Sequence, residues 1–172
     1  MRHQSSMFPT RRRRMRGVAA VEFALVAPLL FMLLFGIIDL ALMFSVNLTM
    51  QYAVREGTRY AVTGQSDLDP NADGPQRYIA VIEKIKLSSM GMYDQLQPRI
   101  TVTNYGNDGS HASTASYDPG APEASIFGAP GDIIVLQLNN CTWTRLTVLA
   151  PLFKDGKYTF DVATTMRNEA FP

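Results

Sequence analysis

The chain predicts an α+β fold: one long N-terminal helix, apolar in its first half, packs its second half on a small antiparallel sheet. Three observations carry that expectation. A basic block meets an apolar run that begins at Val18. The run continues past Phe44 as an amphipathic helix without a break. Three later stretches are β-branched or alternate apolar and polar residues at strand length.

The basic block is Arg11, Arg12, Arg13, Arg14 and Arg16, and no acid precedes Glu22. Residues 1–17 hold six of the 16 Lys and Arg, so the remainder keeps ten cations against 15 Asp and Glu. A net charge of +1 therefore hides a basic leader on an acidic body. Beside an apolar run, such a block is a topology signal rather than a nucleic-acid contact. It holds the N-terminus in the cytoplasm and sends the rest of the chain across the membrane. No nucleic-acid partner is expected.

No charged residue falls between Ala24 and Ile38. At ~1.5 Å per residue, Val18 to Phe44 rises roughly 40 Å, enough to cross a ~30 Å hydrocarbon core with some tilt. A buried helix of a soluble core is the competing reading, and an apolar surface on every side argues against it. A cleaved secretory signal or a twin-arginine signal needs a shorter apolar region and a small-residue break, and neither is present. The boundaries that follow are a leader over 1–17, a transmembrane helix over 18–44, its amphipathic extension over 45–64 and an extracytoplasmic α+β domain over 65–172. Residues 105–131 form a flexible loop within that domain.

Three residues interrupt the apolar segment. Glu22 sits at the helix start, where the helix dipole favours a carboxylate by roughly 0.3–1 kcal/mol; deeper in lipid it would cost about 2.5–3.5 kcal/mol. It either snorkels to the interface or takes a cationic partner. Pro28 removes one backbone donor and is expected to kink or loosen the helix near Ala24, which membrane helices tolerate. Asp39 lies roughly 25 Å beyond Glu22, near the far interface, either as an interfacial acid or paired with a basic residue of a neighbouring subunit. Past it, Leu42, Val46, Met50, Ala53, Gly57 and Tyr60 repeat at helical spacing as one apolar stripe, and Gly64 is a suitable C-cap.

Residues 65–76 read as a polar turn. Asp69, Asn71 and Asp73, followed by Gly74, match the opening of a calcium loop, but the twelfth position is Ala80 and Glu83 comes three residues late. Turn chemistry accounts for the same residues, and the three are a weak calcium candidate only. Arg77 to Met90 predicts an amphipathic helix with Tyr78, Ile82, Ile85 and Met90 on one face, ended by Gly91. Arg99 to Asn104 and Ile133 to Leu138, the latter continuing towards Cys141 and Trp143, predict strands. Leu146 to Phe153 is either a short helix or a segment covering the sheet edge. Asp155-Gly156 turns the chain into a last strand, Tyr158 to Arg167. Cys141 is the only cysteine, so no intrachain disulfide forms. The two histidines, His3 and His111, stand far apart in flexible regions and cannot assemble a catalytic base with an orienting partner. No phosphate-cradling glycine loop is present. An enzyme is not expected, nor a cofactor.

Gly17-Val18-Ala19-Ala20-Val21-Glu22-Phe23 resembles the processing site of type IV pilin-like proteins. The fuller stretch RGVAAVEFALVAPLL, then FGIIDL, then QYAVREGTRYA, resembles the TadE-like family, the minor pilins or pseudopilins of tight-adherence (Flp) pilus systems. The C-terminal ATTMRNEAF, with its Met-Arg-x-Glu motif, is also similar to that family, whereas the middle of the chain is not. The resemblance implies a type IV pilin-like fold and a structural or assembly role in a pilus or secretion system. It implies that a prepilin peptidase cuts between Gly17 and Val18, which frees a new α-amino group to pair with Glu22 of a neighbouring copy. Implied partners are that peptidase, other pilins or pseudopilins, an inner-membrane assembly platform and membrane lipid. The implied location is the inner membrane, single-pass, with extracellular residence in a pilus after processing. The alternative is a permanently anchored single-pass protein whose outer domain binds an envelope partner or polymer, with the leader retained.

Overall fold

A computed structural model describes residues 15–70, 76–106, 112–117 and 126–170. The leader arginines Arg11 to Arg14, the turn residues Asn71 and Asp73, His3 and His111 lie outside the described residues.

Helix α1 runs from Met15 to Val62 as one 48-residue element and passes through Pro28 unbroken. Gly64, at φ 70°, closes it by donating its N–H to the Ala61 carbonyl. A glycine takes this left-handed conformation at no steric cost. Helices α2 (Arg77–Ser88) and α3 (Met92–Leu96) follow, joined by Gly91 at φ 79°. Four strands, β1 (Arg99–Tyr105), β2 (Ala112–Ser116), β3 (Ile133–Trp143) and β4 (Tyr158–Arg167), form one antiparallel sheet in the order β2-β1-β3-β4. Thus a long apolar helix and a small antiparallel sheet make up the α+β architecture.

The core lies between the upper half of α1, α2 and one face of the sheet. Val46, Met50, Ala53, Val54 and Ala61 of α1 meet Val81 and Ile85 of α2 and Ile134, Leu136, Leu138 and Val162 of the sheet. Each large side chain so buried contributes about 1.5–3 kcal/mol. Helix α2 reaches α1 at Gly57, where a Cβ would stand 2.2 Å from Ile85 Cγ1. That glycine is therefore a contact point between helices.

In β3, burial alternates through Ile134, Leu136 and Leu138, then shifts phase to Cys141 and Trp143. A bulge between Leu138 and Cys141 causes the shift. Asn140 takes φ 60° and its N–H donates to Asp161 Oδ1 at 2.7 Å. One extra residue in a strand reverses which side chains face inward, so the bulge keeps both ends of β3 on the same core.

Four local expectations are corrected. Ala112–Ser116, inside the stretch read as a loop, forms strand β2, and Ile126 and Phe127 from that stretch enter the core. Helix α2 stops at Ser88, which leaves Met90 at φ 53° and 80% exposed rather than on the apolar face. Leu42 is 42% exposed, off the buried stripe. Helix α3 occupies a segment for which no element was expected.

Candidate functional site

Along α1, the residues divide sharply at Asp39. Below it, Val18, Val21, Phe23, Leu25, Leu29, Phe31, Leu33 and Ile37 are exposed, with none of the chain's own sheet laid over them. Val18 to Ile38 rises about 31 Å, close to the ~30 Å depth of a hydrocarbon core. The helix is long and apolar enough to cross a membrane, consistent with a single-pass anchor. Above Asp39, Val46, Met50, Ala53 and Val54 are buried under the domain.

Asp39 itself is 1% exposed. Its Oδ1 accepts the Thr147 hydroxyl at 2.9 Å, and its Oδ2 accepts the backbone N–H groups of Thr147 at 2.9 Å and Leu149 at 3.0 Å. A buried carboxylate costs several kcal/mol unless hydrogen bonds replace its water, and these three donors do so. They come from its own chain, 108 and 110 residues away, so the domain is fastened to the helix where the bare segment ends.

The junction residues stand apart from the domain. Gly17 is exposed, and a Cβ there would meet nothing within 4 Å among the described residues. No packing among the described residues requires glycine at this position. Phe23 is 69% exposed. Glu22 is exposed and has no ion-pair partner among the described residues, where the ion pair found is Lys86–Glu83 at 2.6 Å. Pro28 is likewise exposed on the bare face. The helix thus gathers Gly17, Val18, Glu22 and Phe23 within two turns at its start and carries Asp39 near its middle, where the bare segment ends.

Just above Asp39, Leu40, Met43, Phe44, Leu48 and Tyr158 line an open apolar groove of about 290 Å³. Phe44 and Leu48 are 69% and 62% exposed there. Of the calcium candidates, Asp69 is 8% exposed and its Oδ2 accepts the Gln76 N–H at 2.5 Å, next to the start of α2. No group of three metal-ligating side chains occurs among the described residues.

Sequence reasoning missed one polar hub. Arg77 donates from Nε to the Ala61 carbonyl at 2.8 Å and from Nη1 to the Gly128 carbonyl at 3.1 Å. Its Nη2 reaches the Ala61 carbonyl and, at 3.0 Å, Asn168 Oδ1. Asn168, 4% exposed, donates in turn to the carbonyls of Phe127 at 2.7 Å and Ala129 at 2.9 Å. Burial lowers the Arg77 guanidinium to about 10, so it remains charged at neutral pH. The hub ties the top of α1, the start of α2 and the end of β4 together. Its only sequence signal was the Met-Arg-x-Glu motif, whose unspecified position is Asn168.

Residues 17–59 match the family model described as TadE-like protein. The matched segment is the long helix, from its bare start to within a turn of its end. The family is one of structural pilus components rather than enzymes, and the match points to a component associated with a tight-adherence pilus. Neither the curated proteins nor the solved structures include a match to the chain.

Proposed function

From the TadE-like match along α1, we propose that the chain is a pilin-like structural or assembly component of a tight-adherence pilus or secretion system, matured by a prepilin peptidase and assembled through its N-terminal helix. The peptidase cuts between Gly17 and Val18 from the cytoplasmic side and removes the arginine-rich leader. Arg11, Arg12, Arg13, Arg14 and Arg16 hold that side in the cytoplasm until then. The domain after Asp39 faces the far side of the inner membrane, and moves with the pilus once assembled.

One observation carries this reading. Apart from Ala27 and Gly36, the helix leaves Val18 to Ile38 exposed over a membrane's depth, while the same helix is clamped by its own domain from Asp39 upward. A segment of that length needs an apolar environment, first lipid and then the helices of neighbouring copies. Gly17 supports the cut, because nothing among the described residues packs closely enough to need a glycine there. A protease that must bring its catalytic groups against the backbone does need one. Glu22 supports the assembly. A carboxylate inside lipid seeks a cation, and cleavage supplies the α-amino group of Val18 on another copy. Glu22 then sets the stagger between helices, and Pro28 shapes the bare segment for packing. Asp39 sets where the domain begins. Other pilins or pseudopilins and an inner-membrane platform are the partners.

N-terminal sequencing of the mature protein, from cells with and without the peptidase, tests the reading. Val18 is expected as the first residue only where the enzyme is present. A chain that keeps Arg11 to Gly17 in both strains overturns the processing step and leaves a permanently anchored protein. The Glu22→Ala variant is expected to insert and be cut, yet be missing from assembled pili. Its normal incorporation would remove the role given to Glu22.

A further inference from the structure

The segment between β3 and β4, residues 144–157, is the part of the domain nearest the bare helix. Its amides on Thr147 and Leu149 bind Asp39, the residue at which the membrane-length segment ends. Three residues on, a tight 3-10 turn at Ala150–Leu152 leaves Pro151 exposed and Leu152 77% exposed. An exposed leucine on a turn pinned to the end of a transmembrane segment sits at the level of the lipid headgroups.

Charge points the same way. After residue 17 the chain carries ten Lys and Arg against 15 Asp and Glu. Three of those ten, Arg145, Lys154 and Lys157, fall within 144–157, against the single acid Asp155. All three are exposed, and Arg145 also lies 5.9 Å over the Trp143 ring. Asp39, the other acid against this segment, is already consumed by its three donors. The acidic domain therefore turns its cationic end towards the membrane.

We propose that residues 145–157 form a second membrane contact, a foot resting on the outer face of the bilayer, with Pro151 and Leu152 entering the interface. Arg145, Lys154 and Lys157 bind anionic phospholipid headgroups, in the way basic juxtamembrane segments hold an anionic leaflet. This rests on the reading of α1 as a membrane span. The foot gives the domain a fixed height and orientation before any neighbouring subunit is met.

The test uses the full chain in vesicles of phosphatidylethanolamine with phosphatidylglycerol. Nitroxide labels go on Leu152→Cys, on Leu30→Cys in the bare helix and on Thr114→Cys at the far sheet edge, each in a separate protein. Cys141 is fully buried and stays unlabelled. The ratio of collision with oxygen to collision with a nickel chelate reports depth. The Leu152→Cys label is expected at headgroup depth, several-fold above Thr114→Cys and below Leu30→Cys. It should return to the Thr114→Cys value in phosphatidylcholine vesicles once Lys154→Glu and Lys157→Glu are added. A water-like reading at Leu152→Cys beside a lipid reading at Leu30→Cys overturns the foot and leaves the span intact. A water-like reading at Leu30→Cys overturns the span, and the foot with it. A Leu152→Cys depth that ignores both lipid charge and the lysine changes overturns the anionic-headgroup assignment.

Discussion

Arg77 and Asn168 stand 91 residues apart in sequence and meet through a 3.0 Å hydrogen bond from the guanidinium to the amide oxygen. Between them they satisfy the carbonyls of Ala61, Phe127, Gly128 and Ala129. Arg77 joins the end of the long helix to the end of the last strand, and the Ala61 carbonyl it holds is shared with the Gly64 N–H.

Replacing Arg77 by Met keeps much of its volume and removes every donor. Each carbonyl or amide oxygen left unpaired and buried costs about 1–3 kcal/mol. A loss of about 3 kcal/mol is expected, read as a fall in chemical-denaturation midpoint of the full chain in detergent. Arg77→Lys should recover only part of it, since an ammonium cannot reproduce the planar fork.

Gly57→Ala sets two effects against each other. In an isolated helix, alanine would gain about 1 kcal/mol over glycine. Here the added Cβ would stand 2.2 Å from Ile85 Cγ1, and overpacking of this kind costs roughly 1–3 kcal/mol. The clash is expected to win, with a lowered melting temperature, and Gly57→Ala should cost less in an Ile85→Ala background, which removes that Cγ1.

Asp39→Asn should loosen the foot without unfolding the sheet. An amide has one acceptor oxygen where the carboxylate offered two, and its NH2 group would face a donor. Faster hydrogen exchange at Thr147 and Leu149 is expected, by about tenfold or more for a loss of ~1.4 kcal/mol. Exchange in β1 and β3 should stay unchanged.

Alkali should weaken the fold through Cys141 and Tyr93. Burial pushes the Cys141 thiol from 9.0 up to about 12, and burial followed by nearby Tyr117 pushes Tyr93 from 10.0 up to about 12. The unfolded chain then releases these protons first. Their contribution is whole below pH 9 and is lost as the pH climbs towards 12. Denaturation midpoints measured across that window should fall, less steeply in Cys141→Ala than in the parent.

The sequence carried the elements whose causes are local. Periodicity and the Gly64 stop placed the end of α1 within two residues of Val62, and alternation marked β4 from Tyr158 to Arg167. What it did not carry depends on distant partners. Strand β2 reads Ala-Ser-Thr-Ala-Ser, with little β preference of its own. It forms because β1 offers an open edge and Thr103 meets Thr114 at 3.1 Å. The bulge at Asn140 resets the alternation of β3, which no fixed period predicts. In the candidate site, the reading of Gly17, Glu22 and Phe23 rests on one short stretch of sequence, and the structure adds that all three are exposed. The partners of Asp39 were not legible, since nothing near residue 39 announces Thr147 and Leu149.

The helix that begins at Met15 ends at Val62 without interruption, and the sheet grips its last third. A hydrogen-bonded rod of that kind resists torsion, so the bare end and the folded head cannot swivel independently. Any tilt or rotation imposed on the bare end arrives at the head as the same rotation, enlarged by the length of the lever. On the proposed membrane reading, the protein behaves as a crank rather than as a bead on a string.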